Sequence, residues 1–198
     1  MTLARTPRGD AGARVLETAY RLFYSRGIHA VGVDLVTAES GVTKTALYNN
    51  FGSKDQLVTA YLRERDRRWQ QDVDRVTHEH AEPRARILGI FDAYDAWLSG
   101  NDFRGCAFVN AAAEFPDPDH PVRAVVRAHK DSVRSYLGAE LDRLGDGGSP
   151  GPRVTAEQLM LLLEGAVVTS TVARDRRPLR VARELAEALL SGSQVVGP

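Results

Sequence analysis

Cysteine is nearly absent from this chain. Cys106 is the only one among 198 residues, so an intrachain disulfide is excluded, as suits a reducing compartment. Excess charge is missing too, since 26 basic residues balance 26 acidic ones. No global positive field draws the chain to a polyanion, and any nucleic-acid binding must rest on local charge. Lysine is scarce: only three of the 26 basic residues are lysines, Lys44, Lys54 and Lys130. Long hydrophobic runs are lacking. The longest, Leu159 to Ala173, is broken by Glu164 and several Thr and Ser, and is too short for a spanning helix. The opening M-T-L-A-R-T-P-R-G-D has no apolar signal core. These absences predict a cytoplasmic protein without a membrane partner. H-E-x-x-H, the P-loop and G-x-S-x-G are also missing, which removes the commonest metalloprotease, nucleotide-hydrolase and serine-hydrolase signatures. His78 and His80 are two apart and do not share a helix face. No metal, cofactor or catalytic residue is predicted.

What is present is helical pattern punctuated by Pro and Gly. Hydrophobic content is 43%, normal for a globular chain, and alternating strand patterns are nearly absent. A first helix fits Ala11 to Arg26 and closes at Gly27. A long fourth helix starts after Ser53 and continues past Trp69 and Val73. A fifth fits Arg84 to Ser99, a sixth Cys106 to Glu114 and a seventh Val122 to Leu144. After a Gly/Pro-rich break, Thr155 and Gln158 open an eighth with a capping box, and Pro178 precedes a ninth. The fold class is all-α, with about nine helices.

The richest stretch runs from Val33 to Leu57. Two short helical patterns meet at Ser40-Gly41, where glycine supplies the positive φ of a tight turn. Thr43 can cap the second of them. This is the layout of a helix-turn-helix, whose second helix enters the DNA major groove. Its outward face would carry Thr43, Lys44, Thr45, Tyr48 and Asn49, hydrogen-bonding or cationic groups suited to phosphates and base edges. Lys54, opening the next helix, is a further phosphate candidate.

T-K-T-A-L-Y-N-N-F-G-S-K-D-Q-L resembles the pattern S-x-x-x-L-Y-x-x-F-x-x-K-x-x-L of the TetR family of transcriptional regulators. Upstream, Ala19, Leu22, Phe23 and Gly27 are similar to that family's first helix. The resemblance covers Arg14 to Leu62. One departure stands out: the family has Thr or Ser before the second helix, where this chain has Val31 and Gly32. That cap is therefore weak, although Asp34 still complements the helix dipole. The resemblance implies a three-helix DNA-binding domain joined to a helical effector-binding and dimerisation domain. It divides the chain into an arm at 1–10, the helix-turn-helix domain at 11–55, the second domain at 56–190 and a tail at 191–198. It also implies a homodimer through the last two long helices, which carry Leu159, Leu162, Leu163, Val167, Leu185 and Leu189.

A pocket for a small organic molecule needs apolar walls and a few polar anchors. Phe91, Tyr94, Trp97, Phe108, Asn110, His129, Tyr136 and Glu164 lie on patterns that otherwise face inward, and are the candidate ligand-binding residues. His129 and Glu164 interrupt apolar stripes and are the anchors among them. Each also reads as a satisfied core histidine or an interface glutamate. The function expected is a dimeric regulator, a repressor, that binds a palindromic operator in double-stranded DNA and is released by a small organic effector. The alternatives left open are an effector-independent DNA-binding regulator and an all-helical enzyme.

Overall fold

The computed structural model describes residues 9–145 and 154–192. Most of the 1–10 arm, the glycine-rich break after Gly145 and the tail beyond Gly192 lie outside the described residues. Among those described, the chain is all-helical, as expected. The order is α1 (Gly9–Arg26), α2 (Val33–Ser40), α3 (Lys44–Phe51), α4 (Lys54–His78), α5 (Pro83–Gly100), α6 (Ala107–Glu114), α7 (Pro121–Gly145), α8 (Ala156–Ala173) and α9 (Arg177–Leu190). Four helices begin earlier than their apolar periodicity suggested: α1 at Gly9 rather than Ala11, and three that start with proline in the first turn. Pro83, Pro121 and Pro178 lie inside the first turns of α5, α7 and α9 rather than before them. Proline has no N–H to waste there, and its fixed φ already suits the helix.

The helices group into two compact units. The first holds the described residues up to Arg68 together with Ala107–His129. Its centre is apolar: Val15, Ala19 and Leu22 of α1, Val36 of α2, Leu47 and Phe51 of α3, and Leu57, Val58 and Leu62 of α4 are all buried. The Tyr61 ring meets Tyr20 and Phe23 edge-on, at centroid distances of 5.7 and 5.6 Å. Arg65 is buried as well, its guanidinium 3.8 Å from the Tyr24 ring centroid. Such a cation over a ring face keeps favourable electrostatics where water is excluded.

The second unit holds Trp69–Cys106 and the described residues from Lys130 onward. Here α5 packs on α8 and α9, and α8 on α9. Ile87, Ile90, Phe91, Tyr94 and Leu98 meet a core that includes Leu159, Leu163, Val167, Leu179, Ala182 and Ala186. Thr155 and Gln158 complete the expected capping box on α8: the Thr155 hydroxyl accepts from the Gln158 backbone N–H, and the Gln158 side-chain oxygen Oε1 accepts from the Thr155 N–H.

Candidate functional site

The turn between α2 and α3 is set by local chemistry. Gly41 adopts φ 64° and donates its N–H to Thr37. Thr43 caps α3 by accepting from the Ala46 N–H at 3.2 Å. No side chain caps α2, where Gly32 stands at the N-cap. At the far end of α3, Gly52 has φ 81° and donates to the Tyr48 carbonyl at 2.8 Å. The positive φ demands glycine, and a Cβ there would also displace the end of the Gln56 side chain, 3.0 Å away. Ser53 then caps α4, accepting from the Gln56 N–H at 3.1 Å.

These caps fix α3 with Leu47, Asn50 and Phe51 inward. Thr43, Lys44, Thr45, Tyr48 and Asn49 are exposed together on the opposite side, and Lys54 is half-buried at the start of α4. Tyr48 is 45% exposed. Lys44 is not a free cation, because its ammonium pairs with Asp34 of α2. That hydrogen bond, with the charge behind it, raises the Lys44 pKa above its ordinary value. Sequence reasoning gave Asp34 only a role at the helix dipole. The pairing depends on the angle between two helices, which no local pattern reveals. Arg14 is an exposed cation of α1 whose guanidinium approaches the turn at Gly41.

The turn after α1 is held by a carboxylate from the end of α6. Glu114 accepts from the backbone N–H groups of Ile28 at 2.9 Å and His29 at 2.6 Å, and its Oε2 lies 3.1 Å from the His29 ring Nδ1. Burial alone would raise its pKa, but the two N–H donors and the His29 ring outweigh burial and hold it below the ordinary value. Beside it, the Phe115 ring stacks on His120 at 4.5 Å, and His120 Nε2 lies 3.4 Å from the Asp55 carboxylate of α4.

The eight candidate ligand residues are divided between the two units. Phe108, Asn110 and His129 belong to the first unit, and Phe91, Tyr94, Trp97, Tyr136 and Glu164 to the second. His129 is buried; its Nδ1 lies 2.6 Å from Asp66 and its ring is stacked on Phe108 at 3.6 Å. Asn110 is half-buried on α6. Glu164 accepts from Lys130 Nζ at 2.5 Å, and Lys130 also reaches the Cys106 sulfur at 3.4 Å. Burial would lower the Lys130 pKa, but Cys106 and Glu164 raise it overall. Phe91 is buried, and Tyr94 sits between Trp69 and Trp97, with centroids at 4.2 and 6.4 Å.

Tyr136 alone of the eight lines a cavity of about 210 Å³ in the second unit. Trp69, Val73, Ile90 and Val133 form its apolar wall, and Gln70, Asp74, Ser132 and Tyr136 its polar part. The α4 residues of this wall went unassigned in the sequence. Their spacing of 69, 70, 73 and 74 facing 132, 133 and 136 of α7 is the signal that marks them, two helix faces at i, i+3 and i+4.

A second surface lies on α8 and α9. Leu161, Val168, Val172 and Val181 are 71%, 50%, 82% and 45% exposed. Leu161 and Val181 line a shallow, mainly apolar groove with Leu162, Gly165, Thr169 and Leu185. By length and composition α8 is also apolar enough to cross a membrane; Leu159, Leu163, Ala166 and Val167 on its other side are buried in the protein.

Comparison with known proteins accounts for both parts. The family of bacterial regulatory proteins of the tetR type matches residues 15–61. The C-terminal domain of the tetracyclin repressor-like type matches residues 83–186, more than half of the chain. A TetR-family transcriptional regulator from Streptomyces coelicolor superposes with a TM-score of 0.82 at 33% identity, covering 92% of this chain and 89% of that one. The HTH-type transcriptional regulator YjdC of Escherichia coli is 24% identical over 179 residues, 89% of this chain and 91% of the relative. The HTH-type transcriptional activator FasR of Mycolicibacterium smegmatis is 28% identical over 138 residues, 69% of this chain and 63% of the relative. The chain belongs to the TetR family of DNA-binding transcriptional regulators.

Proposed function

We propose that the protein is a homodimeric, ligand-responsive repressor that binds a palindromic operator and leaves it when a small organic effector binds. The observation that carries the DNA-binding part is the exposed set Thr43, Lys44, Thr45, Tyr48 and Asn49 on a helix capped at both ends. A rigid helix presenting hydrogen-bond donors, acceptors and one cation suits the major groove. Lys44, Thr45 and Asn49 are assigned to base edges or nearby phosphates, Tyr48 to a phosphate or thymine methyl, and Lys54 and Arg14 to phosphates. DNA binding is assigned to residues 11–55, and effector binding and dimerisation to 56–190. Regulation of this kind operates in the cytoplasm, and the names of the relatives favour it over an all-helical enzyme.

The exposed apolar face of α8 and α9 supports the dimer. A second copy would cover Leu161, Val168, Val172 and Val181, which water otherwise meets at a cost of about 25 cal/mol per Å². Two-fold symmetry then asks for two half-sites about one helical turn, roughly 34–36 Å, or a multiple apart. For the effector, support comes from α4, which carries Lys54 near its start and Trp69, Val73 and Asp74 of the cavity further along. A ligand that prefers one position of this helix shifts the population of DNA-competent protein by that difference in affinity.

The test is selection of bound duplexes from a random pool, followed by a gel shift with the selected site and a transcription assay. An enriched palindrome bound by a dimer is expected, with transcription lowered by the protein. A pool that yields no palindrome would overturn operator recognition. A rise in transcription would turn the sign to activation, the role named for the Mycolicibacterium relative.

A further inference from the structure

The cavity between α4, α5 and α7 has an unusual balance of charge. Asp74 is the only residue in its lining that carries a charge at neutral pH. Among the described residues its carboxylate enters no ion pair. Its neighbour Arg75 reaches Asp72 instead, at 2.6 Å. The two guanidiniums that act on Tyr136, those of Arg86 and Arg143, both lie on the Glu140 carboxylate. Burial raises the Tyr136 phenol above its usual pKa, so it stays neutral as a hydrogen-bonding group. The lining also includes the Trp69 indole, whose ring meets the Tyr94 ring at 4.2 Å.

We propose that this cavity takes a small organic cation, an ammonium with an apolar or aromatic body, with its charge on Asp74 and its body against Trp69. Three features of the site lead there. A neutral occupant gains nothing from the Asp74 charge, while an anion would add repulsion. An ammonium restores a partner to the carboxylate, and tryptophan is the best of the aromatic faces for a neighbouring cation. The volume of about 210 Å³ lies below the range of roughly 300–1,000 Å³ common for drug-sized ligands, which limits the occupant to a single ring or a short alkyl body. This inference rests on reading the cavity as the effector site of the repressor, and names the chemical class of the effector.

The experiment compares benzylamine, benzyl alcohol and benzoate, one ring with three charges, by calorimetric titration of the full-length protein without DNA. Benzylamine is expected to bind about tenfold more tightly than benzyl alcohol, and benzoate most weakly. Asp74 is exposed, so Asp74→Asn keeps the fold; it is expected to weaken benzylamine about five- to tenfold and leave benzyl alcohol unchanged. Equal affinities for the three, a preference for benzoate, no saturable benzylamine binding, or an Asp74→Asn variant with wild-type benzylamine affinity would each overturn the proposal. A parallel gel shift on the selected operator separates it from the effector reading. Benzylamine binding that leaves the operator complex intact keeps the cation site and removes its effector role. Release of operator by benzyl alcohol and not by benzylamine keeps the effector role and removes the cation preference.

Discussion

At the scale of single residues, Lys44 and Asp34 show how a recognition helix is tuned by its neighbour. An exposed ion pair contributes little to folding, because water and salt screen it. If Lys44 contacts DNA as proposed, the pair matters more for binding, since the lysine would have to leave Asp34 and the carboxylate would repel phosphates. Asp34→Asn is expected to tighten operator binding a few-fold at low salt, with the advantage fading as salt rises. Fluorescence anisotropy over a salt series checks it, and unchanged or weaker binding at low salt would count against the competition. Lys54→Ala should act differently, weakening all duplexes alike and reducing the slope of log K against log salt by about one unit. His129 illustrates the opposite kind of residue. Buried against Phe108 and bonded to Asp66, it is expected to act through stability: His129→Ala should cost about 2–4 kcal/mol in denaturant unfolding. A variant of wild-type stability that fails to respond to effector would restore the ligand-anchor reading. The Thr43 cap could be read from four consecutive residues, whereas the partner of His129 lies 63 positions away and no local pattern points to it.

At the scale of elements, helix order was legible because apolar periodicity, Gly and Pro all act locally. The early starts of α5, α7 and α9 escaped because a proline in the first turn looks like a boundary from outside. The exposed set proposed to face DNA was legible as a surface for a similar reason: one short capped helix carries nearly all of it. The cavity was not, because inward stripes do not say whether a side chain lines a space or fills one. Phe91 and Tyr94 of α5 fill core, while the wall combines α4 and α7 with Ile90 of α5. Longer contacts also position the α1–α2 turn, through the Glu114 carboxylate of α6. Its folded pKa is lowered, so the stabilisation is fully present above the unfolded value and is lost as pH falls through the folded one. Glu114→Gln should therefore destabilise the protein by about 1–2 kcal/mol at pH 7, and the gap to wild type should close as pH falls below about 4. Thermal melts at both pH values check this. A gap that widens in acid would reverse the assignment.

At the scale of the whole molecule, a chain with zero formal net charge has no long-range field to hold it on DNA. In the proposed dimer, affinity for an operator comes from local charge and from two recognition helices acting together. Joining two half-site contacts raises affinity by about 10²–10⁴ over one contact, with no new interaction. The joint is assigned to the face of α8 and α9 where Leu161 and Val172 stand 71% and 82% exposed. These positions are eleven apart on one helix and so share a side. The double variant Leu161→Glu/Val172→Glu adds like charges to that face and removes its apolar area. Since both side chains already meet water in the single chain, the helical content should stay as in wild type. Sedimentation is expected to change from dimer to monomer, with operator affinity falling about a hundredfold or more and half-site affinity unchanged. A folded double variant that remained dimeric would show that the subunits meet elsewhere. A monomer that still bound the full palindrome at wild-type affinity would show that the two half-sites are read independently.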